Sequence, residues 1–232
     1  MIGIIGAMSV EMEKLISLTE KKEETIVGSI RFTKGILFGT EAVLATCGIG
    51  KVFAGICTQT MILTFHTELI INVGVGGTLT DKLSVTDIAI ADALVQHDMD
   101  TSPLGDPVGL ISGINIVEIP CDKELSELLC RAAESLGIRT LRGVIASGDQ
   151  FIASGEQKER ITSTFGAIAC EMEGAAIGQV CYVNKVRVAV VRAISDSADG
   201  SANLSYGEFT QVAAENSARV LAEFCRLYTQ KQ

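Results

Sequence analysis

Arg187-Val-Ala-Val-Val-Arg-Ala-Ile-Ser-Asp196 contains the longest apolar run of the chain, from Arg187 to Ile194. Its residues are apolar at odd and even positions alike, the pattern of a strand buried on both faces beneath helices. Shorter runs rich in Ile and Val repeat it at Ile2 to Ile5, Ala42 to Thr46, Leu69 to Val73, Asp87 to Ala91, Gly143 to Ser147 and Ala167 to Cys170. Segments of helical period lie at Val10 to Thr19, Lys51 to Phe65, Lys123 to Leu136, Gln157 to Thr164, Gly174 to Val183 and Gly207 to Tyr228. This alternation predicts an α/β fold, a single domain over residues 1–232 with a mixed, largely parallel central sheet flanked by helices. Helix ends carry matching signals. Ser154 with Gln157, and Ser205 with Glu208, have capping-box spacing, and Gly137 after Leu136 suits a left-handed cap.

Composition narrows the function classes. The 232 residues carry 19 Lys and Arg against 28 Asp and Glu, a formal charge of −9, with 47% hydrophobic residues. That balance suits a packed core and disfavours nucleic acid or an anionic membrane as partner. The apolar start Met1-Ile-Gly-Ile-Ile-Gly-Ala-Met8 lacks a basic leader and soon meets Glu11, Glu13 and Lys14, so no signal peptide is expected. No run approaches the roughly 18 apolar residues of a membrane span. Cys47, Cys57, Cys121, Cys130, Cys170, Cys181 and Cys225 never fall in a Cys-x-x-Cys spacing. A cytoplasmic protein without a disulfide framework or zinc site is expected. The least regular stretch, Gln96 to Asn115, holds Pro103 and Pro107 and reads as a functional or partner-covered loop. The charge block Glu20-Lys-Lys-Glu-Glu24 reads as a solvated turn.

Two glycine-rich stretches follow strands, and the first resembles a phosphate loop without meeting its requirements. Gly48-Ile-Gly-Lys51 lacks the third glycine of a dinucleotide fingerprint and has Val52 where a triphosphate loop needs Ser or Thr. Gly74-Val-Gly-Gly77 reads either as a tight turn after a strand or as a place where a ring or sugar approaches the backbone. Acids at strand ends carry more information, because a carboxylate in apolar surroundings is costly unless paired or used. Glu11 follows the first strand, Glu171-Met-Glu173 ends another, and Ser195-Asp196 ends the longest, with Arg192 close by. In open α/β sheets ligands gather at such ends, so the three groups of acids are expected to converge. Glycosidic bond cleavage needs an acid for the leaving group, a base for water and support for a cationic sugar, which carboxylates can supply. Burial behind Val190, Val191 and Ile194 would favour a protonated Asp196. His66 and His97 offer no metal pair; His66 reads as structural, and His97 as either loop scaffold or site support. Neither a metal nor an organic cofactor is called for.

In these residues the sequence resembles the 5′-methylthioadenosine/S-adenosylhomocysteine nucleosidases of the purine nucleoside phosphorylase superfamily. The resemblance rests on Ile2-Gly-Ile-Ile-Gly-Ala-Met8 with Glu11, Gly48-Ile-Gly-Lys51, Ile71-Asn72-x-Gly74 with Gly77 and His97-Asp98-x-Asp100. It continues through Ser147-Gly-Asp149-x-Phe151-Ile152, Glu171-Met-Glu173, Arg192-Ala-Ile-Ser-Asp196 with Ala198-Asp199, and Leu204-Ser205 with Glu208-Phe209. The resemblance implies hydrolysis of adenine nucleosides, with water as co-substrate, through an oxocarbenium-like transition state. Asp196 would protonate the purine, Glu11 would orient the water, and Glu173 would hold the ribose hydroxyls beside Met172 and Arg192. Phe151 and Ile152 would recognise the base, and Ala7, Met8, Gly77, Glu171 and Ser195 would complete the pocket. It also implies a homodimer in which Leu104 reaches the neighbour's site.

The chain departs from the family at Val75, where Ser is common, at Tyr206, where Phe is expected near the alkylthio group, and at Thr101 and Leu104. Two other readings stand beside the hydrolase. One is a purine nucleoside phosphorylase, which would need phosphate ligands where the turn Gly6 to Glu11 offers an acid and no Arg. The other is a nucleoside-binding protein of the same fold without catalysis.

Overall fold

The run Arg187–Asp196 forms strand β10 and pairs in parallel with β5 (Leu69–Thr78), from Arg187 opposite Leu69 to Ile194 opposite Gly76. The structure is a computed structural model that describes residues 1–198 and 202–230, with the backbone alone for 202–208 and 210. The other strands are β1 (Ile2–Gly6), β2 (Glu20–Val27), β3 (Ile30–Leu37), β4 (Thr40–Thr46), β6 (Ile88–Gln96), β7 (Ile119–Pro120), β8 (Thr140–Ser147) and β9 (Ala169–Glu171). The helices are α1 (Ser9–Leu18), α2 (Lys51–Phe65), α3 (Lys123–Ser135), α4 (Gly155–Phe165), α5 (Gly174–Asn184) and α6 (Ala202–Thr229).

The sheet runs β10-β6-β8-β9-β5-β1-β4-β3-β2, and because β10 also pairs with β5, five of its strands close into a ring. Alternate residues of the strands face two apolar layers. Ile4, Ala189 and Val191 pack with Met12 and Leu15 of α1, Leu128 of α3 and Phe224 of α6. Ile5, Val188 and Val190 pack on the other face with Met61 of α2 and Ile177 of α5. Doubly covered strands of this kind explain why the sequence shows apolar runs in place of alternation. No helix among the described residues is long and apolar enough to cross a membrane.

Three sequence expectations are corrected, and a fourth, the Ser154 cap, is met in part. Glu20 to Glu24 is the start of the edge strand β2, exposed along its length, and not a turn. Its partner β3 is joined through Gly28-Ser29, with Gly28 at φ +61°. Charged side chains are how an edge strand stays unpaired in solution, and they hide its strand character from a pattern search. Strand β5 continues through Gly74-Val-Gly-Gly77 to Thr78, all of it buried, so these glycines form no turn. Helix α6 begins at Ala202, which places Ser205 inside the helix and not at its cap. Gln157 completes its box only loosely: Ser154 Oγ accepts from the Gln157 N–H, but the Gln157 amide oxygen takes the N–H of Ala153 at 3.4 Å.

Candidate active site

The acids do converge. A cavity of about 320 Å³ opens at the carboxyl ends of β1, β5 and β10. Ala7, Met8 and Glu11 border it from the turn into α1, and Val75 and Gly77 from β5. Phe151 and Ile152 border it from the loop after β8, Glu171, Met172 and Glu173 from the β9 to α5 junction, and Asp196 from the end of β10.

Glu11 is the third residue of α1, where a carboxylate can turn back to the free amides of the helix start. Its Oε2 accepts from the N–H groups of Ala7 at 2.8 Å and Met8 at 2.9 Å, and its Oε1 from Val75 N–H at 3.0 Å. Burial pushes its pKa up, while those amides and Arg192 oppose the shift. The Val75 contact uses the backbone, so the change of side chain at this position leaves it intact.

Asp196 is placed by an extra residue in β10. Ile194 faces Gly76 and Asp196 faces Gly77, so Ser195 is bulged out of register. Asp196 Oδ1 accepts from Ala198 N–H at 2.8 Å, and Ser195 Oγ donates to Oδ2 at 2.9 Å. The β5 glycines now have their reason. A Cβ on Gly74 would lie 2.8 Å from Glu11 Oε1, and one on Gly77 would lie 2.7 Å from Asp196 Oδ1.

Glu173 stands at the start of α5 and accepts from Gly50 N–H at 2.8 Å. Burial and the neighbouring Glu171 push its pKa up to about 7 against the pull of Arg192. Glu171 borders the cavity and is also tied into its frame: it pairs with Arg192, accepts from Ser147 Oγ, and accepts from Glu173 and Gly174 N–H at 3.1 and 2.7 Å. Arg192 lies beneath the floor, 1% exposed, bonded to Asn72 Oδ1 as well. It reaches the cavity as a charge and not as a lining contact.

Ser195 is also buried, and its hydroxyl is turned to Asp196. Leu104 lies in a short 3₁₀ turn, Ser102–Leu104, 83% exposed and away from the cavity of its own chain. The Tyr206 side chain lies outside the described residues, as do those of Leu204, Ser205 and Glu208 and the whole of Asp199. Ile49, Gln150 and Cys170 line the cavity without having been singled out for it, and Gly76 lines it from the stretch read as a place where a ring or sugar approaches. Their neighbours in the motifs were the available signal. His66 caps α2 in the left-handed conformation at φ 54°. His97 is buried against Gly148, its ring nitrogens have no hydrogen-bond partner among the described residues, and burial pushes its pKa down.

Residues 1–226 match the phosphorylase superfamily. The chain is 40% identical over 223 residues to 5′-methylthioadenosine/S-adenosylhomocysteine nucleosidase of Haemophilus influenzae, covering 96% of this chain and 97% of the relative. It is 39% identical over 221 residues to aminodeoxyfutalosine nucleosidase of Helicobacter pylori, covering 95% and 96%. A solved Helicobacter pylori nucleosidase, an aspartate-to-asparagine variant with 5′-methylthioadenosine in the active site, superposes with a TM-score of 0.93 at 38% identity, covering 97% of each chain. The Neisseria meningitidis nucleosidase in complex with methylthio-immucillin-A superposes equally, with a TM-score of 0.93 at 36% identity and 97% of each chain. Three buried acids around one cavity thus sit in a fold shared along nearly its whole length: the chain belongs to the phosphorylase superfamily, in the family of the 5′-methylthioadenosine/S-adenosylhomocysteine nucleosidases.

Proposed function

We propose that the protein hydrolyses the N-glycosidic bond of 5′-methylthioadenosine and S-adenosylhomocysteine, releasing adenine and the thioribose. In this reading Asp196 gives a proton to the purine as the bond breaks, and the bonding pair leaves with the base. Glu173 lies against the ribose and offsets the positive charge of the sugar. Glu11 takes a proton from the attacking water, whose oxygen bonds to the anomeric carbon. Glu11 Oε1 has one backbone partner and keeps a second accepting position, and burial makes the carboxylate readier to take a proton.

The observation that carries the hydrolase reading over a phosphorylase is what holds Glu11. A phosphate site would use backbone amides at this turn, and the amides of Ala7, Met8 and Val75 already donate to the protein's own carboxylate. Methylthioadenosine should therefore be cleaved at the same rate with and without inorganic phosphate, giving adenine and free methylthioribose by chromatography. Cleavage that required phosphate would reverse the assignment, and no cleavage in either buffer would favour the binding protein. The relative named aminodeoxyfutalosine nucleosidase makes aminodeoxyfutalosine the second substrate to try in the same assay.

A homodimer is part of the proposal. Val52, Ile56 and Leu63 stand exposed along α2 at helical spacing, beside exposed Tyr182 and Val183 of α5. An apolar face of this kind is unusual on a monomer. Val52→Glu is expected to shift the protein toward monomer in sedimentation velocity; an unchanged assembly, or a parent that sediments as a monomer, would remove this part.

A further inference from the structure

Consecutive amides at the start of α2 serve two different parts of the site. Gly50 N–H donates to Glu173 Oε1 at 2.8 Å, and Lys51 N–H donates to Asp149 Oδ1 at 2.8 Å. Asp149 belongs to the loop that carries Phe151 and Ile152, but it does not itself line the cavity. Its own N–H donates to Asp98 Oδ2 at 2.9 Å, and Asp98 Oδ1 pairs with Lys51 Nζ at 2.6 Å. The circuit is closed: Lys51 amide to Asp149, Asp149 amide to Asp98, Asp98 to the Lys51 side chain. Burial opposes ionisation of Asp98, yet Lys51 and the Asp149 amide hold its carboxyl below the usual range. Gly50 sits at φ +97°, and a Cβ there would lie 2.9 Å from Asp149 Oδ1. The bend before α2 and the Asp149 carboxylate are fitted to each other.

We propose that Asp149 is a positioning residue for hydrolysis: by holding the Lys51 amide it keeps the preceding Gly50 amide aimed at Glu173, and so ties the base-side loop to the ribose acid. This rests on the nucleosidase reading of the site. The charged and titratable groups that face Glu173 are Glu171, Arg192, Glu11 and the Cys47 thiol. None of these changes when Asp149 is truncated. What changes is the Gly50 hydrogen bond, which favours the ionised form of Glu173. Its loss makes Glu173 easier to protonate. Removal of the Asp149 charge alone acts the other way, because one fewer anion makes a nearby carboxyl easier to ionise. The direction of the change therefore separates the two effects.

The test compares the parent with Asp149→Ala and Asp149→Asn. kcat/KM for methylthioadenosine would be followed from about pH 5.5 to about pH 9, where loss of ionised Glu173 gives the acid limb. Glutamate side-chain NMR on isotope-labelled protein, with the Glu173 resonance assigned through Glu173→Gln, reads the same ionisation without turnover. Asp149→Ala should move the acid limb to higher pH, lowering kcat/KM on that limb about tenfold while the pH-independent kcat/KM fitted to the bell-shaped profile stays within about twofold. The Glu173 resonance should titrate at correspondingly higher pH. Asp149→Asn keeps an acceptor for the Lys51 amide and should stay near the parent. A limb and resonance that stay in place or move to lower pH in Asp149→Ala would overturn the proposal. If the parent hydrolyses no nucleoside, the nucleosidase reading fails by itself, and the resonance still decides whether Asp149 governs Glu173. Asp149 is exposed, and circular dichroism would confirm that the variants keep the fold.

Discussion

Asp196→Asn is expected to lower the turnover of methylthioadenosine by about 10²- to 10⁴-fold, the range for loss of a general acid, while the nucleoside still binds. The structure limits the damage to the proton. Oδ1 can keep the Ala198 N–H at 2.8 Å, and the Ser195 hydroxyl can rotate to accept from the new amide where it now donates. The bulge at Ser195 and the clearance at Gly77 are unchanged, because Asn and Asp share a shape. What Asn cannot do is give a proton to a leaving purine, so the cost falls on kcat with little change in affinity. Single-turnover kinetics with an equilibrium binding measurement on the same variant would check this. Turnover at the parent rate would show that the purine is protonated by another group, and the acid assignment would go with it.

What the sequence made legible depended on which physical signal each residue leaves. β10 and β1 are buried on both faces, so composition alone marked them, and α2 was bounded at Lys51 and Phe65 as observed. The β2 and β3 hairpin left no such signal, because an edge strand is described by its lack of neighbours and β2 faces water throughout. The acids were legible as charges at the ends of apolar runs. Their division of labour was not. Glu171 and Glu173 are two residues apart, chemically alike and both at the cavity, yet Glu171 is held by Arg192, Ser147 and two amides while Glu173 accepts from the Gly50 amide. The two amides are local, but the Ser147 and Arg192 contacts that complete the difference lie 24 and 21 residues away in sequence, which no local pattern contains. The Gly74 and Gly77 positions were ambiguous for a related reason. A glycine needed for clearance and a glycine needed for a turn look the same until the neighbouring acid is in place.

Breaking the frame beneath the cavity should cost the most stability. Arg192→Met is expected to destabilise the fold by about 3–5 kcal/mol, the usual result of leaving one partner of a buried ion pair behind. Glu171 would keep Ser147 and the amides of Glu173 and Gly174 but lose its countercharge, and Asn72 Oδ1 would lose its donor. The loss should also depend on pH. Arg192 lowers the pKa values of both Glu11 and Glu173, so without it both carboxyls hold protons more tightly in the folded state. A folded-state pKa raised above the unfolded value adds stability at low pH that disappears as pH rises through the folded value. For Glu173 the parent already spans the range from the ordinary 4.5 to about 7, and the variant extends it upward. The gap between parent and Arg192→Met should therefore widen as pH rises from about 5.5 to about 8, where the unpaired carboxylates must ionise to match the unfolded chain. Urea unfolding at the two pH values would measure it, and an equal gap at both would show that the loss comes from packing alone. Adding Glu171→Met to Arg192→Met removes the stranded anion and should recover part of the lost stability, since an apolar pair of similar volume often substitutes for a buried ion pair. Activity should not return with it, because Glu11 and Glu173 would still lack the one cation the structure places beneath both among its described residues.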